Sequence, residues 1–299
     1  MEQSALLSIE NLTVRYGKDT ALQIESPIII EEGDRVGIIG SNGAGKSTLI
    51  KSILGLVHYE GSIHTRLQME QIATHMQFNE YTDAMPIKYI MEAILQTKIS
   101  RSQKLRDLID YFEFGDCLRK KYSRLSGGQR QRFTIIMVMM QDAPLTFYDE
   151  VTSGLDFETR QKLVEKLASW YQDRDSSLCI VSHYYEELEQ LADKLLILDK
   201  GHVIDYGPKE DLFRKYCGRA VIVLNNSTEN EQLFQSYEKL ASPAHLIALP
   251  CETEEKEKEL TALLLAHNKN YTRSSTDIEM IYANAKKAFL ERQGKECEL

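Results

Sequence analysis

Gly40-Ser41-Asn42-Gly43-Ala44-Gly45-Lys46-Ser47-Thr48 is the stretch from which the rest of the chain is read. It fits the pattern G-x-x-x-x-G-K-[ST]. It follows the short apolar run Arg35-Val36-Gly37-Ile38-Ile39 and opens an apolar helical stretch, Leu49 to Leu56. A strand entering and a helix leaving is the context that a phosphate-binding loop requires. Its glycines let backbone N–H groups turn inward around phosphate oxygens, and the helix N-terminus adds a favourable dipole. Lys46 would neutralise the β- and γ-phosphates, and the Ser47 hydroxyl would sit on Mg²⁺. A tight turn without a ligand is the weaker reading, because the whole nine-residue pattern is present.

Two further motifs lie downstream. Leu145-Thr146-Phe147-Tyr148 is an apolar strand pattern that ends in Asp149-Glu150. An acidic pair there suits the Mg²⁺ partner of a phosphate loop: Asp149 would hold the metal and Glu150 would polarise the attacking water. Between the two motifs stands Leu125-Ser126-Gly127-Gly128-Gln129, followed by the apolar helix Phe133 to Met140. Alone this is loop and helix-cap chemistry. In this place it presents a second helix N-terminus suited to an anion.

Short strands such as Leu12–Tyr16, Arg35–Ile39, Leu145–Tyr148 and Leu178–Val181 alternate with helical patterns, which implies a mostly parallel sheet covered on both faces. Leu195–Leu198 and His202–Tyr206 flank Asp199-Lys200-Gly201 and predict a hairpin. A stretch at about residues 82–124 carries only helical stripes (Ile87, Ile90, Met91, Ile94 and Leu95, then Leu105, Leu108, Ile109 and Phe112) and reads as a helical insertion. Composition shifts near Cys217. A strand at Arg219–Leu224, a helix at Glu231–Leu240, a strand at Leu246–Leu249 and helices at about Glu254–Ala266 and Asp277–Arg292 predict a small α/β appendage over residues 217–299, after a main domain at 1–216.

The order Tyr16, GSNGAGKST, Gln77, LSGGQ, YDE, SGLD and His183 resembles the nucleotide-binding subunit of an ATP-binding-cassette (ABC) transporter. The resemblance spans about Leu6 to Tyr216, and LSGGQ in this order is highly specific to the family. It implies a P-loop ATPase of the ABC type, with a mostly parallel sheet, an antiparallel β subdomain and a helical subdomain. It also implies that two such domains pair head to tail around two ATP molecules. The loop from Ser41 to Thr48 of one would then face Ser126, Gly127, Gly128 and Gln129 of the other. By the same resemblance Tyr16 stacks on adenine, Gln77 reaches Mg²⁺ and the attacking water, Asp156 makes a dimer contact, and His183 contacts the γ-phosphate. Ser47, Gln77 and Asp149 are then the Mg²⁺ ligands, and Glu150 is the general base or water-orienting group. For several of these an ordinary role stands beside the implied one: Tyr16 as a strand-end surface tyrosine, Gln77 as a polar loop residue, Asp156 as a helix cap. Ser41 and Val151 stand where the family commonly has proline. Ser275-Thr276-Asp277-Ile278-Glu279-Met280-Ile281 resembles the ending of bacterial export-type ATPases for drugs and antimicrobial peptides.

The 299 residues carry a net charge of −9 and 42% apolar residues, which fits a globular chain and argues against a sequence-blind nucleic-acid binder. No apolar run approaches the roughly 20 residues needed to span a bilayer, so a transport role would need a separate membrane-spanning permease subunit. The N-terminus is acidic and lacks a long apolar region, so secretion is not expected. The five cysteines lack metal-ligand or redox-pair spacing and are expected as reduced thiols of a cytosolic protein, held at the inner face of the membrane through its partner. A channel-free ATPase, as in iron–sulfur assembly, and a non-hydrolysing regulatory module are the alternatives. The appendage is expected to serve dimerisation or regulation.

Overall fold

The computed structural model describes residues 5–76, 81–172 and 174–294. Its first part is antiparallel: β2 (Asp19–Ile24), β3 (Ile28–Ile30) and β5 (Glu60–Thr65) all pair with β1 (Leu7–Tyr16). β4 (Arg35–Gly40) then runs into α1 (Lys46–Ile53). After β6 (Ile72–His75) come three helices, α2 (Ile87–Ile94), α3 (Gln103–Tyr111) and α4 (Gly127–Met139), with no strand between them among the described residues. β7 (Leu145–Asp149), α5 (Phe157–Gln172), β8 (Ser177–Val181), α6 (Tyr185–Leu191), β9 (Lys194–Asp199), β10 (His202–Pro208) and α7 (Lys209–Cys217) follow.

Strands β6, β7, β8, β4 and β9 lie side by side in that order, all parallel. The hairpin β9–β10 joins this core to β2. Its turn at Lys200 (φ 46°) and Gly201 (φ 83°) has both central residues left-handed, as the right-handed strand twist favours. The sheet thus has ten strands among the described residues.

Period-2 alternation places each strand's side chains on two cores. Cys179, Val181, Phe147 and Leu196 face α1 and the antiparallel strands, packing with Leu49, Ile50, Leu12 and Leu22. Leu178, Ile180, Tyr148 and Leu195 face the other way, toward α4, α5, α6 and α7. A sheet buried on both faces explains why these strands read as continuous apolar runs. In β1 the alternation ends early: Val14 is fully buried, whereas Tyr16 is 50% exposed, because the strand runs past its core.

A second sheet has the order β12-β11-β13, built from β11 (Ala220–Asn225), β12 (Leu246–Cys251) and β13 (Thr272–Ser274). Its helices are α8 (Thr228–Leu233), α9 (Glu254–Ala266) and α10 (Ile278–Arg292). The helix expected at Glu231–Leu240 lies earlier and is shorter. Ser227 caps it by accepting from the Asn230 N–H (3.2 Å), and Phe234 ends it by turning into the core. One face of β11 (Ala220, Ile222, Leu224) packs with Leu260 and Leu264 of α9. The other face (Val221, Val223) joins Ile278, Ile281 and Ala285 of α10 in the same core as α6 and α7. α10 therefore sits between the second sheet and the elements that cover the first, against α6, α7 and β10.

Candidate active site

Parallel strands deliver their side chains at their carboxyl ends, where open α/β sheets place ligands. Here β4 ends in the glycine loop, β7 in Asp149 and Glu150, and β8 in Ser182 and His183. β6 leads toward Gln77, which lies outside the described residues.

The loop is held open by its backbone. Gly43 (φ 78°) and Gly45 (φ 101°) are left-handed, and a Cβ on Gly45 would lie 2.9 Å from the Ala21 carbonyl oxygen. Gly45 caps α1 without a side-chain acceptor, so the first-turn N–H groups of the helix remain available to an anion. Lys46 is buried, and its ammonium donates to the carbonyls of Gly40 (2.7 Å) and Ser41 (3.1 Å). Burial lowers its pKa, opposed by the nearby negative charges of Glu150 and Asp149.

Ser47 Oγ donates to Asp149 Oδ2 at 2.9 Å, which ties α1 to the end of β7. Asp149 is buried, and its other oxygen, Oδ1, has no hydrogen-bond partner. Burial raises the Asp149 pKa, opposed first by the Ser47 hydrogen bond. A buried carboxylate oxygen left unpaired next to a hydroxyl is a hard-oxygen donor set that fits Mg²⁺. No group of three or more His, Cys, Asp or Glu side chains suited to a metal occurs among the described residues.

One residue further, Glu150 adopts φ 50°, unusual outside glycine, and its N–H donates to the Val181 carbonyl (3.0 Å). Its Oε1 lies 3.0 Å from His183 Nε2. Both side chains stay accessible, at 19% and 39% exposure. Held backbone outliers of this kind cluster at functional sites.

Beneath them lies a buried carboxylate that the sequence motifs do not single out. Glu187 Oε2 accepts hydrogen bonds from Thr152 Oγ1 (2.9 Å) and Ser182 Oγ (2.6 Å), while Arg160 Nε stands 3.6 Å from Oε1. It joins the segments that follow β7 and β8 to the start of α5. Burial raises its pKa, opposed first by the Ser182 hydrogen bond. The sequence does hold a signal: Glu187 shares the buried face of α6 with Leu188 and Leu191, an acid on an apolar stripe.

The Ser126–Gln129 stretch caps α4. Ser126 Oγ accepts from the Gln129 N–H (3.3 Å) and Gln129 Oε1 accepts from the Ser126 N–H (3.2 Å), while Ser126 and Gly127 remain exposed. This capping box accounts for the Ser and Gln of the motif as local structure. Asp156 caps α5, accepting from the Thr159 N–H (3.0 Å) and hydroxyl (2.8 Å).

A family model described as ABC transporter matches residues 27–153. The thiamine import ATP-binding protein ThiQ of Photorhabdus laumondii is 30% identical over 211 residues, covering 66% of this chain and 88% of that protein. The linearmycin resistance ATP-binding protein LnrL of Bacillus subtilis is 28% identical over 253 residues, 79% of this chain and 80% of that protein. Among solved structures, one of an ATP-binding subunit of an ABC transporter superposes with a TM-score of 0.62 at 24% identity, over 71% of this chain and 93% of its own.

Proposed function

Because the chain belongs to the ATP-binding subunits of ABC transporters, we propose that it hydrolyses ATP to energise a separate membrane-spanning permease. Among the described residues no helix is long and apolar enough to cross a membrane, and in this reading the channel belongs to that partner. The observation that carries the reading is the adjacency of two pairs, Ser47 with Asp149 and Glu150 with His183, at the ends of neighbouring parallel strands.

In this reading the N–H groups of Ser41 to Thr48 cradle the phosphates, and Lys46 exchanges its carbonyl partners for phosphate oxygens. Ser47 and Asp149, with Gln77, would hold Mg²⁺, which neutralises charge on the phosphates when bound. Glu150 orients the attacking water and accepts its proton, and the His183 hydrogen bond fixes the carboxylate for that task. Tyr16, half-exposed beyond the end of its core, offers its ring to adenine. Ser126, Gly127, Gly128, Gln129 and Asp156 complete the site of a second cassette, so that ATP joins two copies or two related chains, and no nucleic acid takes part. The assembly works at the cytoplasmic face of a membrane.

The test compares the wild type with Glu150→Gln. The wild type is expected to hydrolyse ATP. The variant should retain ATP binding, lose at least about 100-fold in turnover, and accumulate as an ATP-bound dimer in light scattering. An inactive wild type, or a fully active variant, refutes the reading.

For cargo, the proposal is export of amphipathic peptides, drugs or lipids. The Ser275–Ile281 ending and the likeness to a linearmycin resistance protein support it; a thiamine import protein among the relatives supports the opposite direction. With the permease reconstituted and ATP added outside the vesicles, an exporter accumulates an amphipathic peptide in the lumen. ATP-driven release from a preloaded lumen sinks the export reading.

A further inference from the structure

Glu187 is 3% exposed, on the face of α6 that also buries Leu188 and Leu191. The mechanism above gives it no chemical step. Burying a carboxylate costs free energy, and a cation at 3.6 Å, beyond hydrogen-bond range, offsets little of it. What the carboxylate provides is direction. Two hydroxyls from different segments, Thr152 Oγ1 and Ser182 Oγ, donate to the same oxygen at 2.9 and 2.6 Å.

Each hydroxyl belongs to the turn that carries one member of the Glu150–His183 pair. After β7, the Ser153 N–H donates to the Glu150 carbonyl (3.0 Å), and Thr152 lies inside that turn. After β8, Ser182 Oγ also accepts from the Tyr184 N–H (3.0 Å), so one hydroxyl spans His183. The Arg160 guanidinium, beside Glu187 Oε1, lies 3.8 Å from the centroid of the Tyr184 ring and backs the same turn. The backbone bond from Glu150 to Val181 ties the two strand ends. The carboxylate ties the two turns beyond them, where Glu150 Oε1 and His183 Nε2 stand 3.0 Å apart.

We propose that Glu187 is a positioning residue for hydrolysis, which fixes Glu150 against His183 by holding Thr152 and Ser182 on one carboxylate oxygen. The inference rests on the ATP-hydrolysing reading above. The phosphate loop belongs to β4 and α1, so the device acts on turnover rather than on ATP affinity. Misplacing a reacting group by about 1 Å can cost about 100-fold in rate.

The experiment uses the full chain and the variants Glu187→Ala, Glu187→Gln, Thr152→Val and Ser182→Ala. Steady-state hydrolysis and equilibrium binding of a fluorescent ATP analogue are measured at a temperature where circular dichroism shows each protein folded. Glu187→Ala is expected to lower kcat by about 10- to 100-fold, with KM and analogue affinity within about twofold of wild type. Glu187→Gln keeps an oxygen that accepts from both hydroxyls and should recover most of the lost kcat. In the Glu150→Gln background, Glu187→Ala should lower the residual rate by less than about twofold, because it acts through the pair already broken. If Glu187→Ala does not fold, Thr152→Val and Ser182→Ala carry the test: each removes one donor, keeps the carboxylate, and should lower kcat by about 3- to 10-fold. A wild type that does not hydrolyse ATP overturns the hydrolysis reading and this inference with it. The inference alone is overturned by an active wild type whose folded variants keep full kcat or lose only in KM. Glu187→Gln as impaired as Glu187→Ala, or full additivity with Glu150→Gln, overturns it equally.

Discussion

His75 makes the stability of this protein pH-dependent in a range where most carboxylates are already ionised. Its side chain is 3% exposed at the end of β6, with its ring 6.2 Å from that of Tyr148 on the paired strand. Burial lowers its pKa to about 4, although nearby backbone groups, including that of Asp149, pull the other way. An unfolded histidine titrates near 6.5. Between the two values the unfolded chain binds a proton that the folded chain refuses. The contribution of neutral His75 is therefore complete above about pH 6.5, declines as pH falls, and is gone below about pH 4. Each tenfold difference in proton affinity between the folded and unfolded chain is worth about 1.4 kcal/mol, so the loss between pH 7 and about pH 4.5 is about 2–3 kcal/mol. The assay is urea unfolding of the wild type and His75→Asn at several pH values, followed by the fluorescence of Trp170, the single tryptophan. Other titrations are common to both proteins and cancel in the difference. The stability advantage of the wild type should shrink by about 2–3 kcal/mol over that interval. A difference that stays flat with pH refutes the reasoning, because His75 would then accept its proton at no cost in the folded state.

Glu187→Ala strands the hydroxyls of Thr152 and Ser182 in a buried setting. It should cost about 2–4 kcal/mol in denaturant unfolding, and Glu187→Gln, which keeps an acceptor, markedly less. Gly45→Ala forces a left-handed backbone on a side chain 2.9 Å from the Ala21 carbonyl oxygen. Calorimetric titration should show at least tenfold weaker ATP binding, and unchanged affinity argues against the loop geometry. Ser126→Ala removes the α4 cap and should cost about 1 kcal/mol in thermal unfolding, and in light scattering it should also weaken ATP-driven pairing of cassettes.

Much of this architecture is legible in sequence because it is local. A strand buried on both faces must be apolar throughout, so Leu145–Tyr148 and Leu178–Val181 declare themselves. The glycine loop is equally plain, since Gly43 and Gly45 occupy backbone angles that other residues avoid. α9 is marked by Thr253, whose hydroxyl accepts from the Lys256 N–H at 3.2 Å. The helix expected at Glu231–Leu240 is displaced because its cap, Ser227, lies before the apolar pattern begins and Phe234 is spent on the core instead of on a helical face. Glu187 escapes a motif-by-motif reading because its partners Thr152 and Ser182 come from other segments, and only folding brings them to one carboxylate.

From residue order alone come the phosphate loop, the acidic pair, the family and the need for a partner. These depend on side-chain type, short spacing and backbone permissiveness, all written along a few consecutive positions. The tertiary structure alone decided that Asp149 keeps one buried oxygen unpaired beside Ser47, and that Glu150 meets His183 across two strand ends. It also decided that α10 lies against α6, α7 and β10 instead of apart from them. That packing follows from the burial of Ile278, Ile281 and Ala285 in the core shared with α6 and α7, side chains whose partners lie far away in the chain and which no local pattern couples to them.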